Sequence, residues 1–130
     1  MTALIVFAHG STVEAANEGV RAVTAAVAAD GGYTVVETAF LDCAHPTLSE
    51  AVVSVIGRGA NRVVVVPFFL TLGVHLQRDL PGIVERLRHI HKGVAIDVTP
   101  PLEGHPSLRS IVLERAEEAL AGSRSHSQAH

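Results

Sequence analysis

Two of the eight histidines in this 130-residue chain stand out by their positions. His9 directly follows an apolar run at residues 4–8, and His75 comes shortly after a run of four valines at residues 63–66. Imidazole binds divalent Co, Ni, Fe and Zn, and it also accepts a proton near neutral pH. The pair is therefore suited to hold a metal ion or to act as bases. The alternative for each is structural, with His9 capping a helix and His75 hydrogen-bonded as an ordinary polar residue.

Gly10 and Ser11 follow His9 where a strand turns into a helix. Glycine allows a close approach of two backbones or an unusual dihedral angle. Serine is a favoured N-cap residue, so we predict that Ser11 caps the helix, with contact to a substrate as the alternative.

Two acidic residues, Asp42 and Asp79, are also candidates for the site. Asp79 comes four residues after His75, so on a helix the two share a face. Its carboxylate either orients the imidazole or interacts favourably with the helix N-terminus. Asp42 follows the second predicted strand, where it either steers a cation and takes a proton or caps a loop.

The sequence predicts four strands, each followed by a helix, and these elements must position the candidate side chains. Continuous apolar or β-branched runs predict buried strands at residues 4–8, 34–41, 62–69 and 94–98. Stripes at helical spacing predict the helices between and after them. The stripes are Val13, Ala16, Val20, Val23 and Val27; Leu48, Ala51, Val52, Val55 and Ile56; Leu76, Leu80, Ile83, Leu87 and Ile90; and Leu108, Ile111, Val112, Ala116 and Ala119.

Four such units predict an α/β fold with a doubly wound, four-stranded parallel sheet of strand order 2-1-3-4. Ligands of open α/β sheets bind where the strand order reverses, beyond the carboxyl ends of the strands. Here that point lies between strands one and three, so His9 and His75 are expected to face one crevice. We predict one domain over residues 1–121 and a polar, mobile tail over residues 122–130.

Composition excludes several other classes of protein. The net charge is −3, with one lysine and no tryptophan, which is unlike a nucleic-acid-binding protein. No apolar run is long enough to span a membrane. The single cysteine excludes an internal disulfide and is typical of a reducing compartment, so we expect a cytoplasmic protein. The sequence also lacks the phosphate-binding loop, the dinucleotide fingerprint and the nucleophile elbow.

Motifs spaced along residues 3–121 carry a family resemblance. They are Ala8-His9-Gly10-Ser11 with Ala16-Asn17; Phe40-Leu41-Asp42 with Pro46-Thr47-Leu48; Val66-Pro67-Phe68-Phe69-Leu70; Gly73-x-His75 with Asp79-Leu80-Pro81; and Pro100-Pro101-Leu102 with His105-Pro106 to Arg115. In this order they resemble the small single-domain sirohydrochlorin cobaltochelatases, class II chelatases of the CbiX/SirB kind.

The resemblance implies a chelatase-like fold and a lyase-type enzyme that inserts Co²⁺, or Fe²⁺ or Ni²⁺, into a tetrapyrrole without an organic cofactor. It assigns the family's two active-site histidines to His9 and His75. As a hypothesis consistent with this assignment, Asp42 and Asp79 assist electrostatically, and Gly10 and Ser11 support the site. Related chelatases have two similar lobes and this chain has the length of one, so the resemblance implies a homodimer. Binding to nucleic acid or membrane is not expected.

The chain departs from the family pattern at Thr12, where arginine is common, and at Asp42, where glutamate is common. Sirohydrochlorin carries many carboxylates, so Arg78 is a candidate to replace the missing cation. Two alternatives to a chelatase homodimer remain at this point. One is a carrier that binds metal or tetrapyrrole without turnover, and the other is a chelatase-like subunit with a different partner protein.

Overall fold

The computed structural model describes the backbone of residues 1–128 and the side chains as far as Gly122. Strands and helices alternate without interruption along the chain. Their bounds are β1 Thr2–Ala8, α1 Glu14–Asp30, β2 Val35–Phe40, α2 Leu48–Gly57, β3 Arg62–Pro67, α3 Val74–Ile90, β4 Ala95–Val98 and α4 Ser107–Gln128. The predicted alternation is confirmed, and the predicted strands differ from these bounds by only one or two residues at their ends.

The four strands form one parallel sheet of order β2-β1-β3-β4, as predicted. β1 lies in the middle and pairs with both β2 and β3, so that Phe7 stands between Ala39 and Pro67. Every residue of β1 from Ala3 to Ala8 is buried. A continuous apolar strand of this kind is expected where helices cover both faces of a sheet.

One face of the sheet carries the hydrophobic core. Alternate residues of the strands point to this face, where α2 and α3 pack against them. The fully buried members of this cluster are Ala3, Ile5, Phe7, Ala39, Ala51, Val52, Val55, Val63 and Val65. Because β1 and β3 contribute to the same cluster, packing holds their carboxyl ends side by side.

α1 covers β2 on the opposite face through polar as well as apolar residues. Its buried residues are Asn17 and Thr24, and Thr24 shares a 2.7 Å hydrogen bond with Thr38 of β2. The predicted apolar stripe of α1 is therefore partly wrong, since Val13 and Val23 are exposed. The hydroxyls of Thr24 and Thr38 are hydrogen-bonded to each other, so they can be buried at little cost. α1 therefore packs on β2 through the side with Thr24, and Val13 and Val23 remain exposed.

α4 departs from the prediction more strongly. Its predicted stripe was expected to pack on the sheet, but only Leu108 is half-buried, while Ile111, Val112, Ala116 and Ala119 are exposed. The helix also continues to Gln128, past the predicted boundary at residue 121, and His130 lies outside the described residues. Although α4 is the longest helix, neither it nor any other helix in the described part of the chain is long and apolar enough to cross a membrane.

α2 begins with a capping box, whose sequence pattern is Thr47 followed three residues later by Glu50. The Thr47 hydroxyl accepts a hydrogen bond from the Glu50 N–H, and the Glu50 carboxylate accepts one from the Thr47 N–H at 2.7 Å. The Thr47 N–H, followed by the imidazole of His45, lowers the pKa of Glu50 from 4.5 to about 2. The ionised carboxylate is therefore part of the helix start.

Replacing Glu50 by Gln is expected to weaken the acid dependence of folding. Because the folded-state pKa is lowered, ionised Glu50 contributes stability above pH 4.5 and loses that contribution as pH falls towards about 2. Glutamine can keep the capping hydrogen bonds but does not titrate. Urea unfolding at successive pH values measures the effect, and Glu117→Gln on exposed α4 is the control. An equal loss of stability with acid in wild type and Glu50→Gln would contradict the prediction.

Candidate active site

The two predicted histidines line one cavity at the carboxyl ends of β1 and β3. The cavity measures about 400 Å³, and its polar residues include His9, His75 and Asp79. Its apolar wall consists of Leu41, Phe69, Val74, Leu76 and Ile83. The expectation that both imidazoles face one crevice at the switch point is confirmed. Both histidines are exposed, so they are open to a ligand from solvent.

His9 is positioned by backbone pairing that continues beyond the strands. The Leu41 N–H donates to the Ala8 carbonyl at 2.9 Å, and the Asp42 N–H donates to the His9 carbonyl at 3.0 Å. The His9 ring packs edge-on against Phe69, with 6.1 Å between centroids. When Nδ1 carries the proton, it faces the Gly10 carbonyl at 3.4 Å, and Nε2 is left with its lone pair for a metal or a proton.

Gly10 and Asp42 hold the loops after β1 and β2 together. Gly10 has φ +89°, and a Cβ at this position would lie 1.8 Å from the Asp42 carbonyl oxygen. The Asp42 carboxylate accepts a hydrogen bond from the Cys43 N–H at 2.8 Å, and Asp42 is not among the residues that line the cavity. In this structure both residues therefore shape the loop that presents His9.

Ser11 is not the N-cap of α1, which corrects the prediction. The N-cap is Val13, two residues later, and the Ser11 hydroxyl accepts a hydrogen bond from the Val13 N–H at 3.0 Å. Buried Asn17 fixes the backbone of Ser11 from both sides, with 2.9 Å hydrogen bonds to its N–H and its carbonyl. Sequence reasoning gave Asn17 no role of its own. The available signal was a poor helix former placed inside a helix.

His75 lies in the first turn of α3, directly after Val74. Its Nδ1 is contacted by the guanidinium of Arg78 at 3.3 Å, three residues further along the same helix face. Arg78 also contacts the Asp79 carboxylate at 3.5 Å. Of the two alternatives for Asp79, orientation of the imidazole has no direct hydrogen bond to support it here, because the His75 ring contacts Arg78 instead. Asp79 lines the cavity, and it is Arg78 that joins the two side chains.

The site can offer a metal ion two imidazole ligands. Among the side chains that the structure describes, as far as Gly122, no three His, Cys, Asp or Glu residues stand close enough together to hold a metal ion. His9, His75 and Asp79 thus do not form a ready-made set of three ligands. A divalent ion held by two imidazoles keeps coordination positions for water or for nitrogen atoms of another molecule.

A larger cavity of about 630 Å³ lies elsewhere, between α3 and the segment after β4. Its lining is mainly apolar and includes Leu80, Val84 and Pro101, with Glu85 and Arg88 at its charged positions. It contains no histidine or cysteine. The smaller cavity is the candidate active site because it brings together the two side chains that can bind a metal and accept protons.

Sequence comparisons identify relatives over nearly the whole chain. The CbiX family model matches residues 3–119. The chain is 30% identical to the sirohydrochlorin cobaltochelatase of Methanosarcina acetivorans, covering 90% of this chain and 95% of that protein. It is 33% identical to the sirohydrochlorin cobaltochelatase of Priestia megaterium, covering 93% of this chain but 39% of that protein. It is 30% identical to the chloroplastic sirohydrochlorin ferrochelatase of Arabidopsis thaliana, covering 91% of this chain and 52% of that protein.

Solved structures share the fold. A CbiX protein of Marinobacter aquaeolei VT8 superposes with a TM-score of 0.81 at 29% identity, over 93% of this chain and 98% of that one. The sirohydrochlorin chelatase SirB of Bacillus subtilis subspecies spizizenii, solved with cobalt, gives a TM-score of 0.83 at 24% identity, over 90% of this chain and 50% of that one. The chain thus spans nearly the full length of some relatives and between 39% and 52% of the length of others.

Replacing Gly10 by Ala is expected to destabilise the protein by about 2 kcal/mol or more, because alanine is strained at this φ and its Cβ would collide with the Asp42 carbonyl. Urea unfolding measures the loss. The matched control is Gly19→Ala in α1, where no atom lies within 4 Å of the added Cβ and alanine favours the helix. Equal stability of the two variants would show that the contact between these loops is dispensable.

Proposed function

This chain belongs to the CbiX family, and we propose that it is a chelatase that inserts a divalent metal ion into sirohydrochlorin. Co²⁺ is the first candidate, because several curated relatives are sirohydrochlorin cobaltochelatases. Fe²⁺ is supported by the chloroplastic ferrochelatase, and Ni²⁺ is a further ion that imidazole binds well. In this reaction the metal is a substrate and no organic cofactor takes part.

The observation that carries the proposal is the meeting of His9 and His75 in one open cavity. Insertion of M²⁺ into the macrocycle forms bonds from the metal to its nitrogen atoms and releases two protons from its N–H groups. The imidazoles are suited to both tasks, since each nitrogen lone pair can bind the incoming ion or accept a proton. Because the two imidazoles are exposed and the ion has few other protein ligands, the ion can pass from them to the macrocycle.

The lining of the cavity suits a flat macrocycle. Its apolar wall, which includes Phe69, Val74 and Ile83, can pack against a ring face, while Asp79 adds negative charge near the metal path. Gly10 and Ser11 support the site by shaping the loop that positions His9. We place the reaction in the cytoplasm, as proposed from the single cysteine.

We further propose that two copies of the chain act together as a homodimer. Relatives such as the Arabidopsis ferrochelatase are about twice as long as this chain, which covers 52% of that protein. A cavity of about 400 Å³ that is open to solvent encloses only part of a tetrapyrrole. A second copy of this chain is about as long as the part of the longer relatives that this chain does not match.

Arg78 is proposed to bind a carboxylate of the substrate. Thr12 stands where the family often has arginine, so one cation near His9 is missing. Arg78 does not line the cavity itself, but it contacts His75 and Asp79, which do; it is largely exposed, and its guanidinium is suited to carboxylates.

Replacing His9 or His75 by Ala is expected to slow metal insertion by at least about 100-fold, because each removes a ligand and a proton acceptor. The measurement is an absorbance time course of sirohydrochlorin with Co²⁺, beside a reaction without protein. His89→Ala, an exposed histidine at the far end of α3, is the matched control and should retain the wild-type rate.

Two results would contradict the proposal. Near wild-type rates in both His9→Ala and His75→Ala would exclude the two-histidine mechanism. Stoichiometric binding of Co²⁺ or sirohydrochlorin by the wild-type protein, without multiple turnovers, would identify a carrier instead of a chelatase.

Replacing Arg78 by Ala is expected to raise the KM for sirohydrochlorin about tenfold, since one charge-assisted hydrogen bond is lost. Adding Thr12→Arg to that variant should lower the KM again, because it restores a cation where the family has one. Steady-state kinetics measure both, with Arg109→Ala on exposed α4 as the control. An unchanged KM in Arg78→Ala would show that the carboxylates are bound elsewhere.

A further inference from the structure

The hydrogen bond between Arg78 and His75 determines which atoms of the His75 ring are free. The guanidinium of Arg78 lies 3.3 Å from His75 Nδ1. A guanidinium carries only N–H donors, so Nδ1 must accept this hydrogen bond with its lone pair. In a neutral imidazole the other nitrogen then carries the hydrogen, which places an N–H on Nε2. In this arrangement neither nitrogen of His75 has a free lone pair.

The ring of His9 is in the opposite state. Its Nδ1 lies 3.4 Å from the Gly10 carbonyl oxygen, which can only accept, so the ring hydrogen belongs on Nδ1. Nε2 of His9 therefore keeps its lone pair, and His9 lines the same cavity as His75. The cavity thus contains one histidine that is ready to bind a metal ion and one that is not.

Metal binding by His75 and its contact with Arg78 exclude each other, whichever ring nitrogen binds the ion. An ion on Nδ1 needs the lone pair that accepts the hydrogen bond from Arg78. An ion on Nε2 displaces the hydrogen from that atom, and a neutral ring then carries its hydrogen on Nδ1. Nδ1 is then a donor that faces a second donor. In both cases Arg78 must move away from His75.

The contact between Arg78 and His75 is open to competition by a carboxylate from solvent. Arg78 Nε lies 3.5 Å from the Asp79 carboxylate, while Nη2 contacts His75. The side chains of Arg78 and Asp79 are 69% and 59% exposed, and exposed ion pairs of this kind are weak. A carboxylate that binds a guanidinium through two parallel hydrogen bonds is a stronger partner than a neutral imidazole.

We propose that Arg78 blocks His75 in the free protein and releases it when a carboxylate of the tetrapyrrole binds to the guanidinium. His75 then gains a free lone pair only while the macrocycle is in the cavity. Arg78 is thus a positioning residue that acts through His75 and couples the binding of the two substrates. This inference rests on the proposed function and deepens it, because it assigns an order to the two binding steps.

The two histidines take different parts in this order of binding. His9 is the first ligand of the incoming ion, because its Nε2 is free before the macrocycle arrives. His75 becomes the second ligand, or a proton acceptor, once the macrocycle has drawn Arg78 away. The free protein then holds the ion through few ligands, in agreement with the lack of a three-residue metal cluster among the described side chains.

The first test is a titration of the full chain with Zn²⁺, without tetrapyrrole and at mildly alkaline pH, where imidazoles are neutral. Zn²⁺ binds imidazole and is diamagnetic, so the NMR signals of each histidine ring report binding at that ring. Spectra of His9→Ala and His75→Ala assign the signals. In the wild type the His9 signals should shift at a lower Zn²⁺ concentration than those of His75.

Replacing Arg78 by Ala in this titration should lower the Zn²⁺ midpoint of His75 about tenfold, because one competing hydrogen bond is removed. The midpoint of His9 should stay the same. Arg109→Ala on exposed α4 is the control and should change neither midpoint.

Two results of the titration would overturn the proposal. One is an equal His75 midpoint in the wild type and in Arg78→Ala. The other is a difference that vanishes at high ionic strength, because salt screens the repulsion between exposed charges but leaves a hydrogen bond in place. A difference that persists at high ionic strength supports the contact with Arg78 as its cause.

The second test measures whether the tetrapyrrole releases His75. Steady-state rates of Co²⁺ insertion are recorded over a range of concentrations of both substrates. In the wild type the apparent KM for Co²⁺ should fall about tenfold as sirohydrochlorin approaches saturation, since bound carboxylates remove Arg78 from His75. In Arg78→Ala the apparent KM for Co²⁺ should be nearly independent of the sirohydrochlorin concentration.

A constant apparent KM for Co²⁺ in the wild type, or an equal fall in both proteins, would overturn the coupling between the substrates. A complete lack of metal insertion would instead contradict the proposed function. The Zn²⁺ titration of the free protein does not use chelatase activity, so the failures of the two proposals are distinguishable.

Discussion

The parallel pairing of β1 with both β2 and β3 is the constraint on which the rest of the molecule depends. It brings the carboxyl ends of three strands to one edge, and the hydrogen bond from the Asp42 N–H to the His9 carbonyl continues it into the loops. His9 is thereby fixed against β2, and His75 arrives from the neighbouring β3. Without this order of strands the two imidazoles would not share a cavity, because the loops that carry them follow neighbouring strands.

The site combines a rigid support with exposed ligands. Buried Asn17 and the close contact of Gly10 with the Asp42 carbonyl hold the loop after β1, and Phe69 packs against the His9 ring. The imidazoles themselves stay open to solvent. This combination is suited to a metal that must be delivered to another molecule, since a resident metal is normally enclosed by three or four protein ligands.

Helices of the described chain cover the two faces of the sheet to different extents. α2 and α3 bury one face in a continuous core, whereas the other face has α1 over β2 and little over β3. In the described chain Val64 and Val66 of β3 are half-buried and Val112 of α4 is exposed, which costs hydrophobic free energy.

The alternation of strands and helices, the order of the sheet, the capping box at Thr47 and the position of both histidines at one edge were determined by the sequence alone. Local periodicity and the topology of parallel sheets are sufficient for these features. Only the tertiary structure decided that Arg78 contacts His75, that Ser11 precedes the helix cap, and that the apolar residues of α4 from Ile111 to Leu120 are exposed in the described part of the chain. Periodicity shows that a helix side avoids water, but it carries no information about which partner covers it, because that depends on contacts between residues far apart or in another copy.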